Sequence, residues 1–199
     1  MTGQEPFDGY GSNREGYGDS GVIAVGLVNE LALDHAYGRP VEVTDAFASI
    51  LRVLAVDPPS AEQLRDYHVA DLTILAKRLR AIFAEIRLGE IDAAAILLND
   101  MLGLYPAHPH LAKERGRWVL HHHPRHATLV PMATAVSAEV LARVVGDGAA
   151  DRLGTCESDD CDRVFLDGSK NASRRFCSTT CQNRVKAAAF RRRQASAEG

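Results

Sequence analysis

Four cysteines, the whole complement of the chain, fall within its last 44 residues as Cys156-x4-Cys161, an interval of fifteen residues, then Cys177-x3-Cys181. Two short Cys-Cys loops at that separation can place two thiolates on each side of one tetrahedral ion, the arrangement structural zinc takes. Two disulfides or a redox pair are the competing uses of four cysteines. The first residues have no signal-peptide pattern, so a reducing compartment is expected, which disfavours disulfides, and no sequence feature suggests a thiol nucleophile. Four thiolates with no water, acid or histidine ligand make a closed site that holds a fold together and performs no catalysis.

Charge is distributed very unevenly around this cluster. Between Gly168 and Gln194 lie Lys170, Arg174, Arg175, Arg184, Lys186, Arg191, Arg192 and Arg193, with no acidic residue. The other 15 basic residues face all 26 acids, so an acidic body of about -11 carries a basic tail of +8. Such a tail points to a polyanionic partner, because each Lys or Arg contact to a phosphate releases counterions. The competing explanation is compensation: four thiolates around Zn2+ sum to about -2, which Arg174, Arg175 and Arg184 could balance. Arg191, Arg192 and Arg193 lie well past the cluster and need another reason.

These residues must be held by folded elements, and 199 residues exceed what a zinc unit of about 40 requires. The expected division is a disordered, Gly-rich tail at 1–20, a helical regulatory domain at 21–150 and a zinc module with a basic helix at 151–194. The expected fold class is mostly α, a helical domain with one β-hairpin followed by a small treble-clef-like module. On this division, replacing Cys177 with Ser unfolds residues 152–193 alone. A composition of 46% hydrophobic and 25% charged residues is that of a globular protein. No apolar run approaches the roughly 20 residues of a membrane span, and the chain reads as cytoplasmic with no membrane partner.

Along the chain, Gly21 to Leu33 is apolar almost all round and suits a helix in the middle of a bundle. Asp34 to Pro40 breaks it, and a short helix runs from Thr44, as N-cap, to about Ala55. Ser60-x-x-Gln63 has the form of a capping box opening a long helix, with Leu64, His68, Leu72, Leu75, Leu79, Ile82, Phe83 and Ile86 as its buried stripe. Gly89 stops it, and Ile91 to Leu102 forms the next helix, ending near Gly103. Arg117 to His123 alternates and, with a turn at Pro124-Arg125 and a second run from Ala127 to Val130, reads as a hairpin. Helix returns from about Thr134 to Val145.

Six of the eight histidines lie between His108 and His126. On the expected strand His121 and His123 share a face and could bind a second metal or sense pH, but no carboxylate or cysteine is near in sequence. Solvated strand histidines are the favoured reading. His68, in an apolar stripe, reads as a packed core residue.

Around the cysteines, residues 156–161 read as a tight turn whose N–H groups can point at the sulfurs, and Arg163 to Asp167 as a strand. Gly168 to Asn171 is a turn, Arg174 to Phe176 the returning partner strand, and Ser178 the cap of a helix whose first turn contains Cys181. Phe165 and Phe176 form the small apolar core, and zinc supplies most of the folding energy.

This region resembles the CGNR zinc finger proteins, described as stress-induced transcriptional regulators with an N-terminal ABATE domain. The likeness rests on Cys156-x4-Cys161, Val164-Phe165-Leu166-Asp167, Arg174-Arg175-Phe176-Cys177-Ser178 and Cys181-Gln182-Asn183-Arg184-Val185-Lys186-Ala187. It extends to Leu27-Val28-Asn29-Glu30, similar to an early Val-Asn-Thr segment of the family, and to Gly116-Arg117-Trp118. The resemblance implies cysteine ligands to zinc, a DNA-binding role for the C-terminal module and a helical regulatory domain. The family's Cys-Gly-Asn-Arg stands here as Cys181-Gln182-Asn183-Arg184, so Gln182 alters any close approach the glycine allows.

The expected nucleic-acid-binding set is Arg174, Arg175, Gln182, Asn183, Arg184, Lys186, Arg191, Arg192 and Arg193. Gln182 and Asn183 can pair bidentately with adenine and Arg184 with guanine, while the remaining cations suit phosphate. Helix capping and support of the zinc sulfurs are the alternative roles of these residues. The leading expectation is a DNA-binding transcriptional regulator, its first domain a dimeriser or a sensor enclosing a small ligand. The alternative is an RNA- or protein-binding adaptor with the module as scaffold. No nucleophile with a base, phosphate loop or paired carboxylates marks an enzyme.

Overall fold

The computed structural model describes residues 11–105, 109–114, 116–123 and 126–197. The chain is mostly helical, with small two-stranded hairpins. The helices are α1 (Gly11–Leu31), α2 (Ala46–Leu54), α3 (Pro58–Gln63), α4 (His68–Leu88), α5 (Ile91–Leu104), α6 (Leu129–Gly146) and α7 (Thr179–Ala197). The strands pair as β1 (His35–Ala36) with β2 (Arg39–Pro40), β3 (His110–Glu114) with β4 (Arg117–His121), and β5 (Leu153–Thr155) with β6 (Val164–Leu166), all antiparallel.

The continuously apolar segment from Gly21 is the centre of the bundle, as its sequence demands: Val22, Ala24, Val25, Leu27 and Val28 are buried. α1 packs against α2, α4 and α6, and α5 closes the other side of α4 and α6. Its N-terminal part corrects the expected tail. Residues 11–20 are helical, bent at Gly18, and the Tyr17 hydroxyl lies 3.5 Å from the Asp167 carbonyl; residues 1–10 of that tail lie outside the described residues. α6 has the length and composition of a membrane span, but its apolar side chains from Leu129 to Val144 are largely buried among these helices.

Several boundaries differ from the sequence reading for local reasons. Asp45, not Thr44, caps α2, its carboxylate accepting from the Ala48 N–H at 2.9 Å. Ser60 does not open the long helix. The chain makes the short α3 on Pro58, breaks at Leu64, and begins α4 at His68, whose Nδ1 accepts from the Arg65 N–H at 3.1 Å. His68 is thus a half-buried helix-start residue, not a core one. The stripe from Leu72 to Ile86 is buried, and Gly89 ends α4 in the left-handed conformation. The histidine hairpin exists, but β4 pairs backwards with β3, and Ala127 to Val130 leads into α6, which starts at Leu129. The expected turn at Pro124-Arg125 lies outside the described residues.

The zinc module does not stand apart. Leu153, Val164 and Leu166 are buried in the same core as α1 and α4. In the middle of that core, Asn29 of α1 treats β6 as a neighbouring strand would. Its amide donates to the Val164 carbonyl at 2.9 Å and accepts from the Val164 N–H at 2.9 Å. Two backbone groups that burial would otherwise orphan are thereby satisfied.

Candidate metal centre

The module begins with β5, whose Gly154 faces Phe165 across the ladder. A Cβ there would sit 2.3 Å from the phenyl ring, so only glycine lets Phe165 lie flat over the strand. Phe165 then forms a small second core with the four cysteines, Phe176 packing at its edge. β6 pairs with β5, and Arg174 to Phe176, expected as its partner strand, is irregular. The reason is Asp167, whose buried carboxylate accepts from the N–H groups of Ser169 (2.8 Å) and Arg174 (2.7 Å) and folds 167–174 into a loop. Burial pushes this carboxyl up, but hydrogen bonds from Ser169 and Arg174 and the nearby Arg152 outweigh it and hold its pKa below the usual carboxylate value.

The cysteines converge as their spacing requires. Cys177 and Cys181 are joined by the start of α7, where Ser178 caps as expected, its hydroxyl accepting from the Cys181 N–H at 3.3 Å. All four sulfurs lie within 4.8 Å of one another and all are buried, with no disulfide. The separations are 3.8 Å for Cys161–Cys177, 3.6 Å for Cys177–Cys181 and 3.7 Å for Cys181–Cys161. A zinc ion at about 2.3 Å from each sulfur requires tetrahedral edges of about 3.8 Å. The donor set therefore fits zinc in number, softness and spacing.

Electrostatics point the same way. Hydrogen bonds from the Cys156 and Cys177 thiols push Cys161 far below the ordinary thiol range, aided by the N–H groups of Tyr37 and Arg163. The partners rise in return: Cys156 to about 11, chiefly through Cys161, and Cys177 upward through Cys156, Cys161 and burial. Crowded sulfurs can all be thiolates only around a cation.

The N-terminal domain takes part in this centre through residues that sequence reasoning missed. The Tyr37-Gly38 turn between β1 and β2 has left-handed backbone at both positions, the two-residue geometry that favours glycine second. It brings the Tyr37 N–H to the Cys161 sulfur and the Gly38 N–H to the Asp160 carbonyl at 2.9 Å. Asp162 exchanges hydrogen bonds with His35 at 2.8 and 2.9 Å, and Arg80 of α4 reaches both Asp34 (2.8 Å) and Asp162 (3.7 Å). A turn residue pair at 37–38 was the one available signal, and it named no partner.

The expected nucleic-acid residues separate into two groups. Arg174 is turned inward: its guanidinium lies 4.6 Å from the Phe165 ring centre, donates to the Phe176 carbonyl at 3.0 Å and also bonds the Cys177 carbonyl. Burial lowers its pKa while the Cys177 sulfur and Asp167 hold it up, as for a cation serving a thiolate cluster. Arg184 donates to the Ser158 hydroxyl at 3.2 Å and the Asp159 carbonyl at 3.3 Å, with its guanidinium against Gly38. Both are thus engaged within the protein. Arg175 is exposed but pairs with Glu157.

The rest are open. Gln182, Asn183, Lys186, Phe190 and Arg193 are all exposed, whereas Arg184, Val185, Ala188 and Ala189 are half-buried. At 3.6 residues per turn the exposed five fall on one side of α7 within an arc of about 100°. Arg191 and Arg192 extend the charge around the projecting end, where every side chain from Phe190 to Ser196 is exposed. Gln182, where the resemblance described above has glycine, stands on this exposed side.

Residues 152–194 match the family model of the CGNR zinc finger. That segment contains all four ligands, and a zinc-binding finger of this type is what the geometry describes; its structural ion is zinc. No curated protein matches the chain.

Proposed function

We propose that the chain is a DNA-binding transcriptional regulator of the cytoplasm, not an enzyme, in which α7 is the element that meets DNA. One observation supports this above the others: the exposed arc of α7 combines two amide side chains, two cations and an aromatic ring, while Arg184, Val185, Ala188 and Ala189 on the other side of its first half are half-buried. Gln182 and Asn183 sit at the anchored end, where amides can address base edges. Lys186, Arg193, Arg191 and Arg192 follow toward the free end, where they meet phosphates. The helix has 19 residues and no acidic side chain, so nothing along its length repels a polyanion. Arg174 and Arg184 leave the contact set, because turning them outward would strip hydrogen bonds from the cysteine loops.

The helical domain acts as a dimeriser or sensor in this proposal. A second copy would supply a second half-site, since one short module seldom specifies a site alone. An open cleft of about 400 Å3 between the end of α1 and α4, lined by Leu31, Leu33, Lys77, Arg80 and Ala84, would be where a small ligand binds in this reading. It adjoins Arg80 and Asp34, the residues that brace the cysteine loop, so occupancy there would be felt at the finger.

The test is selection of zinc-loaded protein on a randomised DNA pool at near-physiological salt with excess competitor. An inverted-repeat motif is the expected outcome, and replacement of Arg191, Arg192 and Arg193 by Ala should weaken binding to all sequences and make the log-affinity against log-salt slope shallower by about 3. No recovered motif with zinc retained would turn the reading to an RNA- or protein-binding adaptor.

A further inference from the structure

The fold brings together a histidine that the sequence kept apart from its neighbours. In the β3–β4 register His110 lies opposite His121, so both side chains leave the hairpin on the same face, and His123 follows two residues after His121. The three rings form one group. Their centres are 5.4 Å apart for His110–His121, 5.4 Å for His110–His123 and 5.0 Å for His121–His123, and His121 Nδ1 lies 3.0 Å from His123 Nε2. All three side chains are half-buried. His122 points elsewhere, toward Glu139 and Arg143 of α6.

We propose that His110, His121 and His123 form a second metal site, for one divalent transition-metal ion of the imidazole-preferring class, Zn2+, Ni2+ or Cu2+. Three neutral imidazoles are the donors such ions take, and with no thiolate or carboxylate among them the site discriminates against Mg2+ and Ca2+. Two imidazole nitrogens bound to one tetrahedral ion at about 2.0 Å lie about 3.3 Å apart, close to the separation of His121 and His123. Among the described residues only the cysteines already hold three or more ligand atoms within 4.8 Å, so His110 must turn its ring to close the set. For a half-buried side chain on a two-stranded hairpin that is a change of rotamer, not of fold. Binding would tie β3 to β4, a pair of strands that is marginal by itself. The site is independent of whether α7 meets DNA.

The experiment uses the tag-free full chain with zinc already in the cysteine centre, titrated with Ni2+ and with Zn2+ by calorimetry and metal analysis. One additional ion per chain at micromolar affinity is expected. Loss of a direct ligand should cost at least the roughly tenfold that loss of an outer hydrogen bond costs, so His110→Ala and His121→Ala should each weaken binding by that factor or more. His122→Ala should bind like the parent. Retained cysteine-bound zinc and an unchanged circular dichroism spectrum identify a folded variant. Should His110→Ala fail to fold, nitrogen chemical shifts of labelled histidines in the parent decide the matter, since ring nitrogens of His110, His121 and His123 must all move with Ni2+ or Zn2+. No second ion, full binding by folded His110→Ala, or loss of binding in His122→Ala would each overturn the proposal.

Discussion

The chain gathers ligand-type side chains in two places, and the two are built in opposite ways. The four sulfurs lie under Phe165 and are braced by the Tyr37-Gly38 turn, Arg184 and Arg174. The three imidazoles lie on a hairpin whose other face leaves Leu111, Trp118 and Leu120 exposed. The sulfur centre is woven into the core through β5 and β6, so its ion supports the folding of everything that touches those strands. The imidazole group lies on and just beyond the β3–β4 pair, outside the apolar core of the helices, so an ion proposed there would come and go while the bundle stays folded. If the proposed histidine site binds metal, depth in the core would separate the structural ion from the exchangeable one in this protein.

The largest effect tests the first half of that contrast. Cys177→Ser, or removal of zinc by a chelator, should unfold the finger and also lower the melting temperature of the helical body, because Leu153, Val164 and Leu166 leave a core they share with α1 and α4. Calorimetry should show one transition at lower temperature. An untouched body transition beside a lost finger would restore the sequence-based picture of independent domains. The same experiment across pH has a definite sign. Zinc must displace protons from thiols such as Cys156, held up at about 11, so affinity should rise as pH rises from 6 to 8.

Asn29→Ala comes next. It leaves the buried N–H and C=O of Val164 without partners and should cost about 2–3 kcal/mol in chemical denaturation, without altering zinc stoichiometry. A cost below about 0.5 kcal/mol would mean that water replaces the amide and that the docking is loose.

Asp167→Asn should cost less, about 1–2 kcal/mol, because the amide NH2 cannot accept and one of the two backbone N–H bonds is lost while the other oxygen keeps its own. The carboxyl's folded pKa is depressed, so its stabilising contribution is present above the unfolded value near 4 and is lost as pH falls through the folded one. The variant should therefore differ from the parent at pH 7 and converge with it in acid. A difference that persists in acid would assign the loss to packing instead of charge.

What the sequence disclosed follows the same division. The cysteine set was readable because each pair is local, two ligands within a turn, and because zinc restricts how two such pairs can meet. The stripe from Leu72 to Ile86 and the stop at Gly89 were readable because a helix writes its period into adjacent turns. The β5–β6 pairing was not: Gly154 and Phe165 match by size across a ladder, and neither carries a mark of the other. Nor was the role of Asn29, a polar residue within an apolar helix, because its partner Val164 is 135 residues away. His110 failed to join His121 and His123 for a related reason. The hairpin was expected to close forward through Pro124-Arg125, and that register excludes it. The internal hydrogen bonds of Arg174 and Arg184 were not legible because a positive charge in sequence is the same whether it faces a phosphate or a carbonyl.

The smallest effect tests the other half of the contrast. In metal-free buffer at the histidine group, with zinc kept in the cysteines, His110→Ala and His121→Ala should change the stability of the body by no more than about 0.5 kcal/mol, as surface substitutions away from the core do. The expectation rests on geometry. The rings lie beside each other across the β3–β4 pair, none of the described side chains of these strands belongs to the apolar core, and His122 lies against Glu139 of α6. Adding Ni2+ should then raise the parent's melting temperature and leave both variants where they were, because an ion that binds only the folded hairpin stabilises it by mass action. A loss of about 2 kcal/mol in the metal-free variants would make the three imidazoles a packed polar core. The two clusters would then differ in chemistry but not in how they hold the chain, and the rule that depth in the core separates structural from exchangeable metal would fail for this protein.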